Sequence, residues 1–131
     1  MSHFTRVKTV MKEVDVLETA ITSVLGWDTQ RDGVVRGYKG NKVKAQLVAV
    51  NPRANYDVGF QRAEDDSFSL VTDYYGLRSL PFPSKELSDR IAQAYSLEIV
   101  RQDAQEQGFS MSDIVTNEDG SFQLQLVGLR W

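Results

Sequence analysis

The side chains that could do chemistry in this 131-residue chain are few. It has no cysteine and one histidine, His3. That excludes disulfides, thiol nucleophiles, thiolate zinc sites and cysteine-held iron–sulfur clusters. A multi-histidine metal site within one subunit is excluded as well. No nucleophile stands in sequence with a base, so no catalytic residue is assigned, and no metal or cofactor is expected. His3 titrates near neutral pH when unperturbed. With no partner to position it, it reads as a solvated or packed ring rather than an acid or base.

The densest set of candidates is basic. Arg36, Lys39, Lys42 and Lys44, with Arg31 before them, gather around Gly37 and Gly40. Backbone amides at a glycine turn, together with Lys and Arg, suit a phosphate or an acidic partner. The spacing of Gly37-Tyr38-Lys39-Gly40 is not that of a P-loop. The structural reading is a charged strand edge that resists aggregation. Tyr38, Tyr56, Tyr74 and Tyr75 fall near strand ends or turns. They fit a stacking surface for a ring or for single-stranded nucleic acid, ordinary sheet packing, or a protein-docking surface. A net charge of −3 and a pI of about 5.1 argue against nucleic acid, which needs many clustered cations. Asp57 and Asp73 occupy polar positions of neighbouring strands. As a pair they could hold a hard cation or share a proton; on an exposed face they would simply be solvated. Glu64-Asp65-Asp66 reads as a solvated turn. The terminal Arg130-Trp131 is either packed into the sheet or offered to a partner.

The elements that must position these residues follow from periodicity. His3 to Val10 reads as a strand. A helix follows, with Asp15 as N-cap and Glu18 in capping-box position; its stripe is Leu17, Ala20, Ile21, Val24 and Leu25, and Gly26 ends it. Trp27 to Gly33 reads as a polar connection. Val34 to Tyr38 is a short strand leading to a turn at Lys39-Gly40-Asn41. Val43 to Val50 is a strand with Val43, Ala45, Leu47 and Ala49 facing one way. After the loop Asn51 to Asn55, Tyr56, Val58 and Phe60 form an inward face, with Gly59 opposite marking a bulge or a close backbone approach. Phe68, Leu70, Thr72 and Tyr74 continue the alternation. Beyond the break at Gly76 to Pro83, Ser84 caps a second helix. Its stripe is Leu87, Ile91, Ala94, Tyr95 and Ile99, and it ends near Gly108. A hairpin closes the chain, Met111 to Asn117 and Phe122 to Leu129, around an Asp119-Gly120 turn.

The order β-α-β-β-β-β-α-β-β predicts one α+β domain over residues 1–131, a two-layer sandwich. A mostly antiparallel sheet carries two helices on one face, and the helix positions suggest a ferredoxin-like plan with extra strands. The opening residues lack the apolar segment of a secretory signal, and no apolar run approaches the ~18 residues that span a bilayer.

Five stretches in order carry a resemblance over nearly the whole chain. They are Met1-Ser2-His3-Phe4-Thr5, Val35-Arg36-Gly37-Tyr38-Lys39-Gly40, Tyr56-Asp57-Val58-Gly59-Phe60, Asn117-Glu118-Asp119-Gly120-Ser121 and the final Arg130-Trp131. Together they resemble the hypothetical chloroplast reading frame thirty-five family, a family of unknown function in cyanobacteria and algal plastids. The resemblance implies a photosynthetic lineage and a cytoplasmic or stromal setting, and supplies no mechanism. The expectation is a small soluble accessory or binding protein, more a binder than an enzyme. It would dock on a protein partner through its sheet edge and the surface from Arg36 to Lys44. The alternative is a small-molecule site or enzyme with a pocket between helices and sheet, where Tyr38, Tyr56 and Asp57 are the polar groups. Self-association through an exposed strand is a third course.

Overall fold

A computed structural model describes residues 4–81, 83–116 and 122–128. His3, the Asp119-Gly120 turn and Arg130-Trp131 lie outside the described residues. The element order matches the expected one: β1 Phe4–Lys8, α1 Val14–Leu25, β2 Asp28–Arg36, β3 Lys42–Val50, β4 Val58–Arg62, β5 Phe68–Asp73, α2 Ser84–Glu106, β6 Phe109–Thr116 and β7 Phe122–Gly128.

Strands β1 to β5 form an antiparallel sheet in the order β1-β5-β4-β3-β2. Four successive antiparallel pairings leave β1 and β2 parallel at opposite edges. The split strand–helix–strand unit of a ferredoxin-like plan is therefore present around α1, with three strands between its arms. The second half departs from that plan, because α2 leads into β6 and β7, which pair only with each other.

Both helices cover one face of the sheet. Leu17 and Ile21 of α1 and Leu87 and Ile91 of α2 pack with Leu47, Ala49, Val58, Phe60, Phe68 and Leu70. Each buried valine, leucine, isoleucine or phenylalanine among them contributes roughly 1.5–3 kcal/mol. A 12-residue helix needs that, being too short to stand alone. The expected capping box of α1 does not form. Glu13 is the N-cap and makes no side-chain bond. Instead the Tyr95 hydroxyl of α2 accepts from the amides of Lys12 (3.2 Å) and Glu13 (2.9 Å). Asp15 and Glu18 turn toward β2 and hold Arg31, with Nη2 at 2.8 Å from Asp15 and 3.0 Å from Glu18. Gly26 ends the helix as expected, at φ 69°, its amide donating to Thr22.

The stretch read as a polar connection, Trp27 to Gly33, is mostly strand. It pairs with β3 from Asp28↔Val50 onward. No apolar alternation marks it, because its side chains meet α1 through polar contacts: the Thr29 hydroxyl and the Arg31 guanidinium both donate to Glu18.

The other face is covered by the chain folding over itself. Strand β4 pairs with β3 only at Leu47–Ala49, while the β2–β3 arm runs on to Arg36↔Lys42. The pairing skips Asp32 and Gln46, and Asp32 takes a left-handed φ of 52° there. Past that irregularity the arm bends across the sheet. Val35 and Ala45 then meet Val48 and Val71 in a second core, flanked by Phe4, Val43 and Val50. The expectation that Val43, Ala45, Leu47 and Ala49 share a face is thereby corrected: Ala45 and Val43 join the second core, Leu47 and Ala49 the first. Gly59 is the close approach. A Cβ there would lie 2.2 Å from Val35 Cγ2 and 3.2 Å from Ala45 Cβ.

Gly59→Ala should therefore destabilise the fold by about 1–3 kcal/mol, the usual cost of overpacking. The penalty should be smaller when the same change is made in a Val35→Ala background. Urea unfolding of the four proteins of this cycle measures it; additive costs would mean that the two residues do not meet.

Candidate functional site

Two buried aspartates hold the bent arm down. Asp57, just before β4, is 1% exposed, and Asp73, the last residue of β5, is 0% exposed. The expectation of solvated carboxylates fails, because the arm covers the face on which they stand. Asp57 Oδ2 accepts from the Arg36 amide (3.0 Å) and Arg36 Nε (2.8 Å). Its Oδ1 accepts from Arg36 Nη2 (2.8 Å) and the Asn51 amide (3.0 Å). Burial is the largest single influence and pushes this carboxyl up. The Arg36 side chain, the two amides and the Arg36 charge outweigh it, and the group titrates below the usual carboxylate range.

Arg36 is correspondingly committed inside the chain. Nη1 donates to Asn55 (3.1 Å), and Nη2 also donates to the carbonyls of Asn51 (3.1 Å) and Ala54 (3.3 Å). It stands beneath the basic surface as a support for the loop Asn51 to Asn55. Asp73 makes the second tether. Its Oδ2 accepts from the Tyr38 amide (2.9 Å) and its Oδ1 from the Tyr75 amide (2.8 Å). Gly37 permits this, since a Cβ there would lie 2.6 Å from both Asp73 Oδ2 and the Phe4 ring. Each carboxylate is thus occupied by N–H donors. Among the described residues no group of three or more His, Asp or Glu side chains is gathered to hold a metal ion.

The tethers decide which tyrosines meet. Asp73 caps the 3-10 turn Tyr74–Ser79 and fixes the tip of the arm beside it. The Tyr38 and Tyr75 rings lie 4.8 Å apart at 34°, and Tyr74 meets Tyr75 edge-on at 5.8 Å and 79°. Tyr74 is 62% exposed and Tyr75 48%. Lys39, held at a left-handed φ of 52°, places Nζ 5.4 Å from the centre of the Tyr38 ring, within cation–π reach. Lys42 and Lys44 are exposed on β3, opposite Arg36 and Val34. Tyr56 packs against Gly76 instead, where an added Cβ would lie 2.7 Å from its own.

The space between α2 and the sheet is a groove of about 310 Å³, lined by Thr5, Val7, Leu70, Leu80 and Leu87 among others. Tyr38, Tyr56 and Asp57 do not line it. Tyr38 and Asp57 are engaged with the arm that covers the opposite face.

Residues 22–125 match the model of a family described as a protein of unknown function, DUF1257. The chain belongs to this family. It is similar to the uncharacterized protein ycf35 of Guillardia theta, 28% identical over the whole chain and 98% of that protein. It is also similar to the proteins of the same description from Pyropia yezoensis and Cyanophora paradoxa, at 26% and 24% identity over the same shares. These are proteins of photosynthetic lineages, in agreement with the resemblance read from the sequence. No solved structure matches the chain. No helix among the described residues of this DUF1257 chain is long and apolar enough to cross a membrane.

Sequence reasoning gathered Tyr38 with Lys39, Lys42 and Lys44 because they are neighbours in the chain. It offered Tyr56, Tyr74 and Tyr75 as further aromatics beside that stretch; the structure brings Tyr74 and Tyr75 to Tyr38 and leaves Tyr56 against Gly76. The available signal was Asp73 followed by two tyrosines and Gly76: an aspartate whose side chain accepts from the amide two residues on starts a turn. Asp73→Ala would leave the Tyr38 and Tyr75 amides without their acceptor, for an expected loss of about 2–4 kcal/mol. The tyrosine near-UV circular dichroism should weaken with it, and a variant with unaltered spectrum and stability would refute the tether.

Asp57 gives a pH signature. A carboxyl lowered by folding adds stability that is present above its unfolded value near 4 and is lost as pH falls through its folded value. Asp57→Asn should lower stability at neutral pH by about 2–3 kcal/mol, less than for a fully buried pair because the Arg36 side chain is 32% exposed. It should also flatten the acid limb of the stability profile; an acid limb as steep as in the wild type would mean that other carboxylates govern it.

Proposed function

We propose that this DUF1257 protein is a small accessory protein that docks on a larger protein assembly. The docking surface is the tip of the β2–β3 arm with the turn after β5: Tyr38, Lys39, Tyr74 and Tyr75, flanked by Lys42 and Lys44. One observation carries the reading. Tyrosines from two segments more than 30 residues apart in the chain are brought to one surface, with Tyr74 62% and Tyr75 48% exposed and Tyr38 partly so, above a scaffold of buried ionic hydrogen bonds. Tyrosine beside a cation is the composition of interface anchors, because it offers a large rigid area at low entropic cost. The lysines favour an acidic face on the partner, which they would steer toward them. The photosynthetic lineages of the relatives make photosynthetic machinery or its assembly the natural context, in a cytoplasmic or stromal setting. In this reading the protein acts by binding, and Arg36 serves by holding the surface in place.

Affinity capture with the wild type, with a Lys39→Glu/Tyr74→Ala variant and with a distant Glu64→Lys control tests it. The expected result is a stoichiometric protein partner held by the wild type and the control and lost by the double variant. Both altered residues are exposed, so the fold should stay intact by circular dichroism. A folded double variant that keeps the partner would move the docking surface elsewhere.

A further inference from the structure

The turn that carries Tyr74 and Tyr75 also carries Arg78, and Arg78 opens onto a groove of about 690 Å³. Trp27, at the end of α1, forms one wall. Pro52, Arg53 and Ala54 form another, and Arg78 to Pro81 the third. The walls are tied together. Asn51 Nδ2 donates to Ser79 Oγ (3.0 Å), which donates on to the Gly76 carbonyl (2.6 Å). Asn51 Oδ1 accepts from the Arg53 amide (2.9 Å), and Arg36 holds the Asn51 and Ala54 carbonyls from beneath.

Within this fixed frame the arginines divide sharply. Arg6, Arg31, Arg36, Arg62, Arg90 and Arg101 each give their guanidinium to an acceptor in the chain. Among the described residues, Arg53 and Arg78 are the arginines without such a partner, and both line the same groove. Two exposed guanidiniums with no acceptor among the described residues are free to take an oxyanion, which the planar fork binds in two-point fashion. Two positive charges match a phosphate monoester better than a single carboxylate. The groove is of the size of small-molecule sites, roughly 300–1,000 Å³. Trp27 adds an aromatic wall and Pro52 and Pro81 add apolar ones, suited to a flat apolar body rather than to a bare ion.

We infer that this groove binds a small organic phosphate, its phosphate held by Arg53 and Arg78 and its planar body lying toward Trp27. The site uses none of the residues of the docking surface, so either can fail without the other. The chain has two tryptophans, and in a full-length Trp131→Phe variant Trp27 becomes the sole indole reporter. Titration with AMP should change its fluorescence saturably. Arg53→Gln with Arg78→Gln should weaken that binding by about tenfold or more, since bonds to a charged group are the strong ones. Adenosine and inorganic phosphate should each bind more weakly than AMP. Amide shifts of the wild-type protein on addition of AMP give the same reading without the tryptophan change, and should centre on Asn51, Arg53, Ala54, Arg78, Ser79 and Leu80. Absence of a saturable response in both measurements overturns the site. Binding that the double arginine variant retains overturns the phosphate contacts, as would adenosine binding as well as AMP. Inorganic phosphate binding as well as AMP would overturn the role of the planar body.

Discussion

Asp73 is the side chain on which the arrangement of this molecule turns. It stands at the end of β5 with no exposed surface, and its two oxygens accept from amides 37 residues apart in the chain, those of Tyr38 and Tyr75. One of these amides belongs to the tip of the β2–β3 arm and the other opens the turn after β5. A carboxylate buried without donors would be untenable. Here burial and satisfaction arrive together, because the arm that excludes water also supplies the donors. Asp57 repeats the device one strand away, with Arg36 as the arm's contribution. Glycine makes both contacts possible: Gly37 lets the backbone reach Asp73, and Gly59 lets Val35 reach the sheet.

What these tethers contribute is position more than net stability. The gain from a buried ion pair is largely offset by the loss of hydration, and an apolar replacement of the same shape is often as stable. The apolar second core of Val35, Ala45, Val48 and Val71 also packs the arm against the sheet. Apolar contact, however, is non-directional and tolerates sliding. A carboxylate that accepts one bond from each of two particular amides does not. The energetic weight rests on the two apolar clusters, while the register of the arm, and with it the meeting of Tyr38 with Tyr75, rests on Asp73.

The local grammar of the chain was legible in its sequence. Element order, the stripe of α1, its end at Gly26 and the close approach at Gly59 could all be read from periodicity and residue type. The misreadings share one physical cause, which is contact between segments distant in sequence. The polar residues of Asp28 to Arg31 looked like a loop because their partners lie on α1. Asp15 and Glu18 looked like a capping box because nothing local showed that Arg31 would compete for them. Asp57 and Asp73 looked solvated because an alternating strand does not announce that its polar face will be roofed by another hairpin. Arg36 looked like one more cation of a basic run; only the folded chain shows it beneath the loop that presents Arg53.

That same turn after β5 joins the tyrosine surface to the arginine groove. It begins where Asp73 accepts from Tyr75 and ends where Ser79 accepts from Asn51. Its first residues carry the tyrosine cluster, and its fifth, Arg78, lines the arginine groove. Six residues of 3-10 turn advance only about 12 Å, and a segment so short, anchored at both ends, has little freedom to move one surface without the other. The loop Asn51 to Asn55 has a parallel duty: Arg36 and Asp57 fix it, and it bears both Arg53 and the Asn51 side chain that grips Ser79. Neither surface is a loop appended to a finished domain. The tyrosine surface is the outer side of the contacts that close the second face of the sheet, and the groove lies between those contacts and Leu25, Trp27 and Leu80 of the first core, so a sequence that folds this way presents the two in a fixed relation.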